Sequence, residues 1–146
     1  MESLTLKLNI LIDDWCEGCQ YHNFPYKAKL PLKEDTSVHT FTSMKDVWYV
    51  VEKLKEEVEQ HNKTHKKQFS LEETILSHIP FFCCPNHFLN KKYQKDIQRY
   101  LYCKKMSVAP YPGSFGDQPK SWISKCNIIE NMLNYVEQKQ TVNQYE

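Results

Sequence analysis

The sequence predicts an α+β fold, with a small N-terminal antiparallel sheet followed by about four helices. Three observations carry this. Apolar residues alternate at period two near the start, they recur at helical spacing in several later segments, and Pro, Gly and polar clusters separate the two regimes. At 146 residues, 40% hydrophobic and 25% charged, the chain suits one domain with a packed core. We assign residues 1–138 to that domain and 139–146 to a polar, frayed tail.

Leu4, Leu6, Leu8, Ile10 and Ile12 alternate with Thr5, Lys7 and Asn9, the pattern of a half-buried strand ending at Asp13-Asp14. The segment from Trp15 to His22, holding Cys16 and Cys19, reads as a tight turn joining this strand to a second one through Tyr26, Ala28, Leu30 and Leu32. Pro25 and Pro31 would keep the second strand at an edge. A third short strand is expected over Val38–Thr42.

Helices follow. Ser43 with Asp46 resembles a capping box. Met44, Val47, Trp48, Val51, Leu54 and Val58 then recur at helical spacing, with Lys53, Glu56, Glu57 and Glu59 opposite. His61 to Gln68 holds no apolar residue and reads as an exposed connection. Ser70 and Glu73 open a short helix that Pro80 should stop. Phe81 to His87 is apolar and irregular, so it is expected to be buried. Asn90 should cap a helix running to Met106. Pro110-Tyr111-Pro112-Gly113 suits a tight turn. Asp117 or Gln118 should cap the last helix, with Pro119 in its first turn. Trp122, Cys126, Ile129, Leu133 and Val136 form its apolar stripe, expected to pack on the Met44–Val58 helix.

Composition excludes several classes. No uncharged apolar stretch of about 18 residues exists for a membrane span. The first residues are not patterned as a signal peptide, which predicts an intracellular chain. Only 3 Gly occur, so Gly-rich phosphate loops are scarce. A net charge of +1 argues against a whole-surface nucleic-acid binder. The charge is uneven: residues 1–80 hold ten Lys against thirteen acids, and residues 81–146 hold nine Lys or Arg against five.

The six cysteines are Cys16, Cys19, Cys83, Cys84, Cys103 and Cys126. Three disulfides are formally possible, but a chain of this length without an export signal fits them poorly. The sharper pattern is a pair of turns, Cys16-x-x-Cys19 and Cys84-x-x-His87. A two-residue spacer lets both side chains of a turn face one tetrahedral ion, and two such turns supply four ligands. These four residues predict a structural zinc site, closed by four protein ligands and therefore not catalytic. Cys83 could replace Cys84, and Cys103 or His22 could replace His87. His22 lies three residues after Cys19 and competes for the same ion. The plainer reading makes Cys16 and Cys19 surface thiols and leaves Cys83 and Cys84 in the core. A thioredoxin-like redox pair would need a helix opening at Cys19, and no helical periodicity follows it. No arrangement of Cys126 with a His base, and no paired carboxylates, suggests an enzyme.

Lys91, Lys92, Lys95 and Arg99 fall within roughly a 100° arc of one helix, with Tyr102 among them. Such a face could meet an acidic protein or a phosphate backbone, or simply be solvated. The short patch and small net charge favour a protein partner over nucleic acid.

The segment Ala109-Pro110-Tyr111-Pro112-Gly113-Ser114-Phe115-Gly116-Asp117-Gln118-Pro119, followed by Trp122, resembles a motif of small tailed-phage proteins encoded among virion genes. In those proteins a Pro-aromatic-Pro-Gly turn precedes Asp-Gln-Pro and an apolar helix with an early Trp. Ser114 stands where a second Gly is common, and the Cys-rich first half has no counterpart in the motif. The resemblance spans residues 97–138. It implies a non-enzymatic virion-assembly or accessory protein that docks on a larger protein such as a virion component, in the host cytoplasm or the virion. The alternatives are a phage-encoded inhibitor or adaptor of a host system, and a zinc-dependent nucleic-acid-binding protein.

Overall fold

The computed structural model describes residues 2–12, 16 and 18–144. It is a mixed α+β structure with a two-stranded antiparallel sheet and five helices. In chain order these are α1 (Glu2–Leu11), β1 (Tyr26–Lys29), β2 (Val38–Phe41), α2 (Met44–Thr64), α3 (Leu71–Phe82), α4 (Lys91–Met106) and α5 (Lys120–Gln144). The chain divides into two compact units, Met1–Asp13 with Phe88–Glu146, and Asp14–His87. Among the described residues no helix is long and apolar enough to cross a membrane.

The expected first strand is a helix. Its alternation has a second solution, because a period-two row wound at 100° per residue becomes two i, i+4 rows on opposite sides. Leu4, Leu8 and Ile12 form one row and Leu6 and Ile10 the other, and all but the half-buried Ile10 are buried. A Leu-rich segment with few β-branched residues prefers the helix. The expected strand end at Asp13-Asp14, with Trp15 and Glu17, lies outside the described residues.

In the first unit, α1 packs on α4 and α5. Leu6, Ile97, Tyr100, Trp122 and Ile129 form its buried cluster, with Cys126 and Leu133 packed against it. The α5 stripe therefore finds its neighbours on α1 and α4, where the sequence reading had given it the Met44–Val58 helix. Asn9, only 3% exposed, ties the unit together. Its Nδ2 donates to the carbonyls of Thr5 (2.8 Å) and Phe88 (2.9 Å), and its Oδ1 accepts from the backbone N–H of Asn90 (2.9 Å). Gln94 Nε2 donates to the Asn9 carbonyl at 3.0 Å. Asn90 caps α4 as expected, accepting from Lys92 N–H.

The Pro-Tyr-Pro-Gly turn is held by Gly113 at φ 101° and by Asp117, whose Oδ2 accepts from Ser114 N–H at 2.7 Å. Asp117 thus closes a short 3-10 turn over Phe115–Asp117 and does not cap α5. Gln118 bonds the Tyr111 backbone from both amide atoms, and α5 starts at Lys120. The segment expected to fray is helical to Gln144, and residues 139–143 are exposed.

In the second unit, β1 pairs antiparallel with β2, Tyr26 opposite Phe41 and Ala28 opposite His39. Tyr26 and Ala28 are buried while Lys27 and Lys29 face out. At the start of α2, Asp46 Oδ2 accepts from Ser43 N–H, which completes the expected capping box. The helix continues through His61–Thr64, beyond the predicted end, and Asn62 then clasps the connection by bonding the Phe69 backbone both ways. Ser70 caps α3 by accepting from Glu73 N–H. Pro80 does not stop this helix but sits in its last turn, where Cys83 N–H still reaches the Ile79 carbonyl at 2.8 Å. Phe41, Val47, Val51, Leu54, Ile75, Ile79 and Phe82 are fully or almost fully buried. Phe81, expected inside, is 69% exposed, because the helix continuing past Pro80 turns it away from Phe82.

Asn9→Ala should destabilise the protein by on the order of 2–3 kcal/mol in urea denaturation, since it strands buried backbone groups at Phe88 and Asn90. A loss below about 0.5 kcal/mol would show that solvent reaches those groups.

Candidate metal centre

Among the described residues from Cys16 to Pro25 there is neither helix nor strand, and other interactions hold the chain. Gly18 at φ 115° lets it double back between Cys16 and Cys19, a conformation that side chains other than Gly resist. His22 N–H bonds the Cys19 carbonyl at 3.1 Å, closing the next turn. The second arm follows α3. Cys83 ends that helix in extended backbone, and Pro85–Phe88 is a 3-10 turn in which His87 N–H bonds the Cys84 carbonyl at 3.0 Å. Two side chains join the arms: Asn86 Nδ2 donates to the Cys16 carbonyl at 3.0 Å, and His87 Nε2 lies 2.9 Å from the Tyr21 carbonyl.

Between these arms the Sγ atoms of Cys16, Cys19 and Cys84 all lie within 4.8 Å of one another, a group that could hold a metal ion. Cys84 is buried, Cys16 half-buried and Cys19 exposed. The fourth predicted ligand, His87, is not in this group. Its ring stacks on Phe24 with centroids 4.7 Å apart, and its Nε2 is committed to Tyr21. His22 stands beside the thiols instead, with Nδ1 3.6 Å from Cys84 Sγ and 4.0 Å from Cys16 Sγ. Metal–sulfur bonds of about 2.3 Å and metal–nitrogen bonds of about 2.0–2.1 Å at a tetrahedral angle separate S and N by roughly 3.6 Å. The distance to Cys84 is that of two donors on one ion, while His22, like His87, stands outside the close group of the three thiols. The spacing Cys19-x-x-His22 was the available signal, and it competed with the equally short Cys84-x-x-His87.

The protons are shared unevenly. A hydrogen bond from the Cys84 thiol, helped by the Gly18 backbone and His22, pulls Cys16 down to about 6. Burial, then the bond to Cys16, pushes Cys84 up to about 12. Without a cation, the exposed arm thus carries the thiolate and the buried arm keeps its proton. A divalent ion would reverse this at Cys84, because a coordinating thiol is deprotonated outright. Cys83 is also pushed to about 12 by burial, and its Sγ donates to the Cys84 carbonyl, so its side chain serves the core.

The remaining candidates are elsewhere. Cys103 and Cys126 lie on α4 and α5. Lys91, Lys92, Lys95 and Tyr102 are exposed on α4. Arg99 is not free for a partner: Nη2 donates to the Pro110 carbonyl at 2.6 Å, Nη1 to the Tyr111 hydroxyl at 3.1 Å, and the guanidinium lies 4.2 Å from the Tyr111 ring centroid. It anchors the Pro-Tyr-Pro-Gly turn. Only the ring of Tyr111, twelve residues on, made that role legible, and the basic arc masked it.

Cobalt(II) titration separates the two histidines. A lost ligand should weaken binding by more than the tenfold typical of lost supporting contacts. His22→Ala should therefore raise the cobalt dissociation constant about tenfold or more, while His87→Ala leaves the thiolate-to-cobalt absorption per bound ion unchanged. The opposite ranking would return His87 to the ligand set. No protein-family model, curated protein or solved structure matches this chain, so its chemistry is argued from these side chains.

Proposed function

We propose that the chain is a non-enzymatic, zinc-stapled docking protein of virion assembly, holding one zinc ion through Cys16, Cys19, Cys84 and His22. The convergence of three thiols with the His22 ring carries this reading. Thiolate and imidazole donors in tetrahedral array favour zinc among the common divalent ions. Four protein ligands leave no position for water or substrate, so the ion supplies folding energy rather than chemistry.

Docking is supported by the outer face of α4. Lys91, Lys92, Lys95 and Lys105 share it with Tyr102 and Met106, which are 61% and 54% exposed. Asp96, the one acid of α4, is paired with Lys125 at 2.6 Å. A basic face with exposed apolar groups suits an acidic protein surface, where charge tunes encounter and register. Nucleic acid is disfavoured because Arg99, the strongest phosphate ligand of the predicted patch, is already bound. The resemblance of residues 109–122 to the phage motif supports placing the partner among virion components.

Protein purified without added metal should carry about one zinc per chain. The double variant Lys91→Glu/Lys95→Glu should keep its zinc and its unfolding midpoint yet lose co-sedimentation with capsid or tail components. Unchanged co-sedimentation would remove α4 as the docking face, and none by the wild type would remove the virion reading. Wild-type binding to duplex DNA with a log–log salt slope near −0.9 per lysine, lost in the double variant, would make nucleic acid the partner.

A further inference from the structure

Sulfur atoms close enough to share an ion are also close to sharing a bond. The Sγ atoms of Cys16, Cys19 and Cys84 lie within 4.8 Å of one another. A disulfide needs about 2.05 Å, so any two of them must approach by less than about 3 Å. Their settings differ. Cys19 is exposed, Cys16 half-buried and Cys84 buried. Cys16 and Cys19 share one arm, where the described residues form neither helix nor strand and Gly18 at φ 115° turns the chain between them. That arm can close on itself, and disulfide oxidoreductases make and break their bridge at the same Cys-x-x-Cys spacing. Cys84 is held between the end of α3 and the 3-10 turn Pro85–Phe88. The other cysteines lie outside the group: Cys83 is fully buried with its Sγ on the Cys84 carbonyl, and Cys103 and Cys126 are carried by α4 and α5.

We propose that Cys19 is an oxidative modification site: hydrogen peroxide oxidises it, Cys16 closes a disulfide on it, and the zinc ion is released. This rests on the zinc reading above. Exposure at Cys19 gives the oxidant its access. The Cys19 thiolate attacks peroxide, so that an S–O bond forms, the O–O bond breaks and hydroxide leaves. The Cys16 thiolate then attacks the Cys19 sulfur; an S–S bond forms and the sulfenic oxygen leaves as hydroxide. Two electrons pass from sulfur to peroxide, and zinc keeps its charge throughout. Only Cys84 and His22 then remain as donors, too few for a closed four-ligand site. The change is a reversible modification of the centre and involves no turnover of a substrate.

The test treats the reduced, zinc-loaded full chain with excess hydrogen peroxide. Zinc captured by a chromogenic chelator should appear in step with one disulfide per chain, mapped by peptide mass spectrometry to Cys16–Cys19. Dithiothreitol with added zinc should restore the original metal content. The double variant Cys103→Ser/Cys126→Ser, which alters neither arm, should release zinc to the same extent and form the same bridge. Zinc retained under peroxide, zinc lost while Cys19 is overoxidised without a bridge, or a bridge to Cys83, Cys84, Cys103 or Cys126 would each overturn the proposal. If the reduced chain takes up no zinc, the zinc reading falls, and the same mapping on that chain still decides whether Cys16 and Cys19 pair.

Discussion

The segment from Cys16 to Pro25 is arranged around the three close thiols of Cys16, Cys19 and Cys84, with the ring of His22 beside Cys84. Among its described residues this stretch has no helix or strand to satisfy its backbone. The Asn86–Cys16 and His87–Tyr21 bonds align the two arms, but each is a single contact near the surface. Three thiolates this close would repel one another, and one bound cation would remove that repulsion. The sheet then starts from a fixed point, with Tyr26 packed on Phe41 and its hydroxyl donating to the Phe82 carbonyl at 2.9 Å.

In the other unit the organising contacts are side-chain hydrogen bonds. Asn9 joins α1 to the entry of α4 through three hydrogen bonds of its side-chain amide, with Phe88, Asn90 and Gln94, while a fourth, to the Thr5 carbonyl, stays within α1. Arg99 repeats the device at the far end of α4, where it clamps the Pro110-Tyr111 turn and lies over Trp122. Both residues look like surface groups in the sequence. Their burial or capture follows from partners about 80 and about 12 positions away, which no local pattern displays.

What was legible followed from short-range rules. The caps at Ser43, Ser70 and Asn90 and the Gly113 turn each depend on residues a few positions apart, and each forms as read, while the strand expected through Leu32 stops at Lys29 and pairs with Val38–Phe41 alone. The α1 segment failed because period two is degenerate between a strand and a helix buried on two sides. Pro80 gives up its own helical hydrogen bond, yet the helix runs on to Phe82, with Cys83 N–H reaching the Ile79 carbonyl. For the centre, three of the four expected donors converge, and the fourth changed because the His87 ring found Phe24 and Tyr21 first. Cys19 with His22, and Cys84 with His87, have the same spacing, so only the three-dimensional path of the chain separates them.

X-ray absorption at the zinc edge of the natively purified full chain tests the ligand set most directly. The account predicts three sulfur neighbours at about 2.3 Å and one nitrogen at about 2.0–2.1 Å, with the nitrogen contribution lost or replaced by oxygen in His22→Ala. A shell of four sulfurs, a shell of oxygens and nitrogens alone, or a spectrum that His22→Ala leaves unchanged would contradict it.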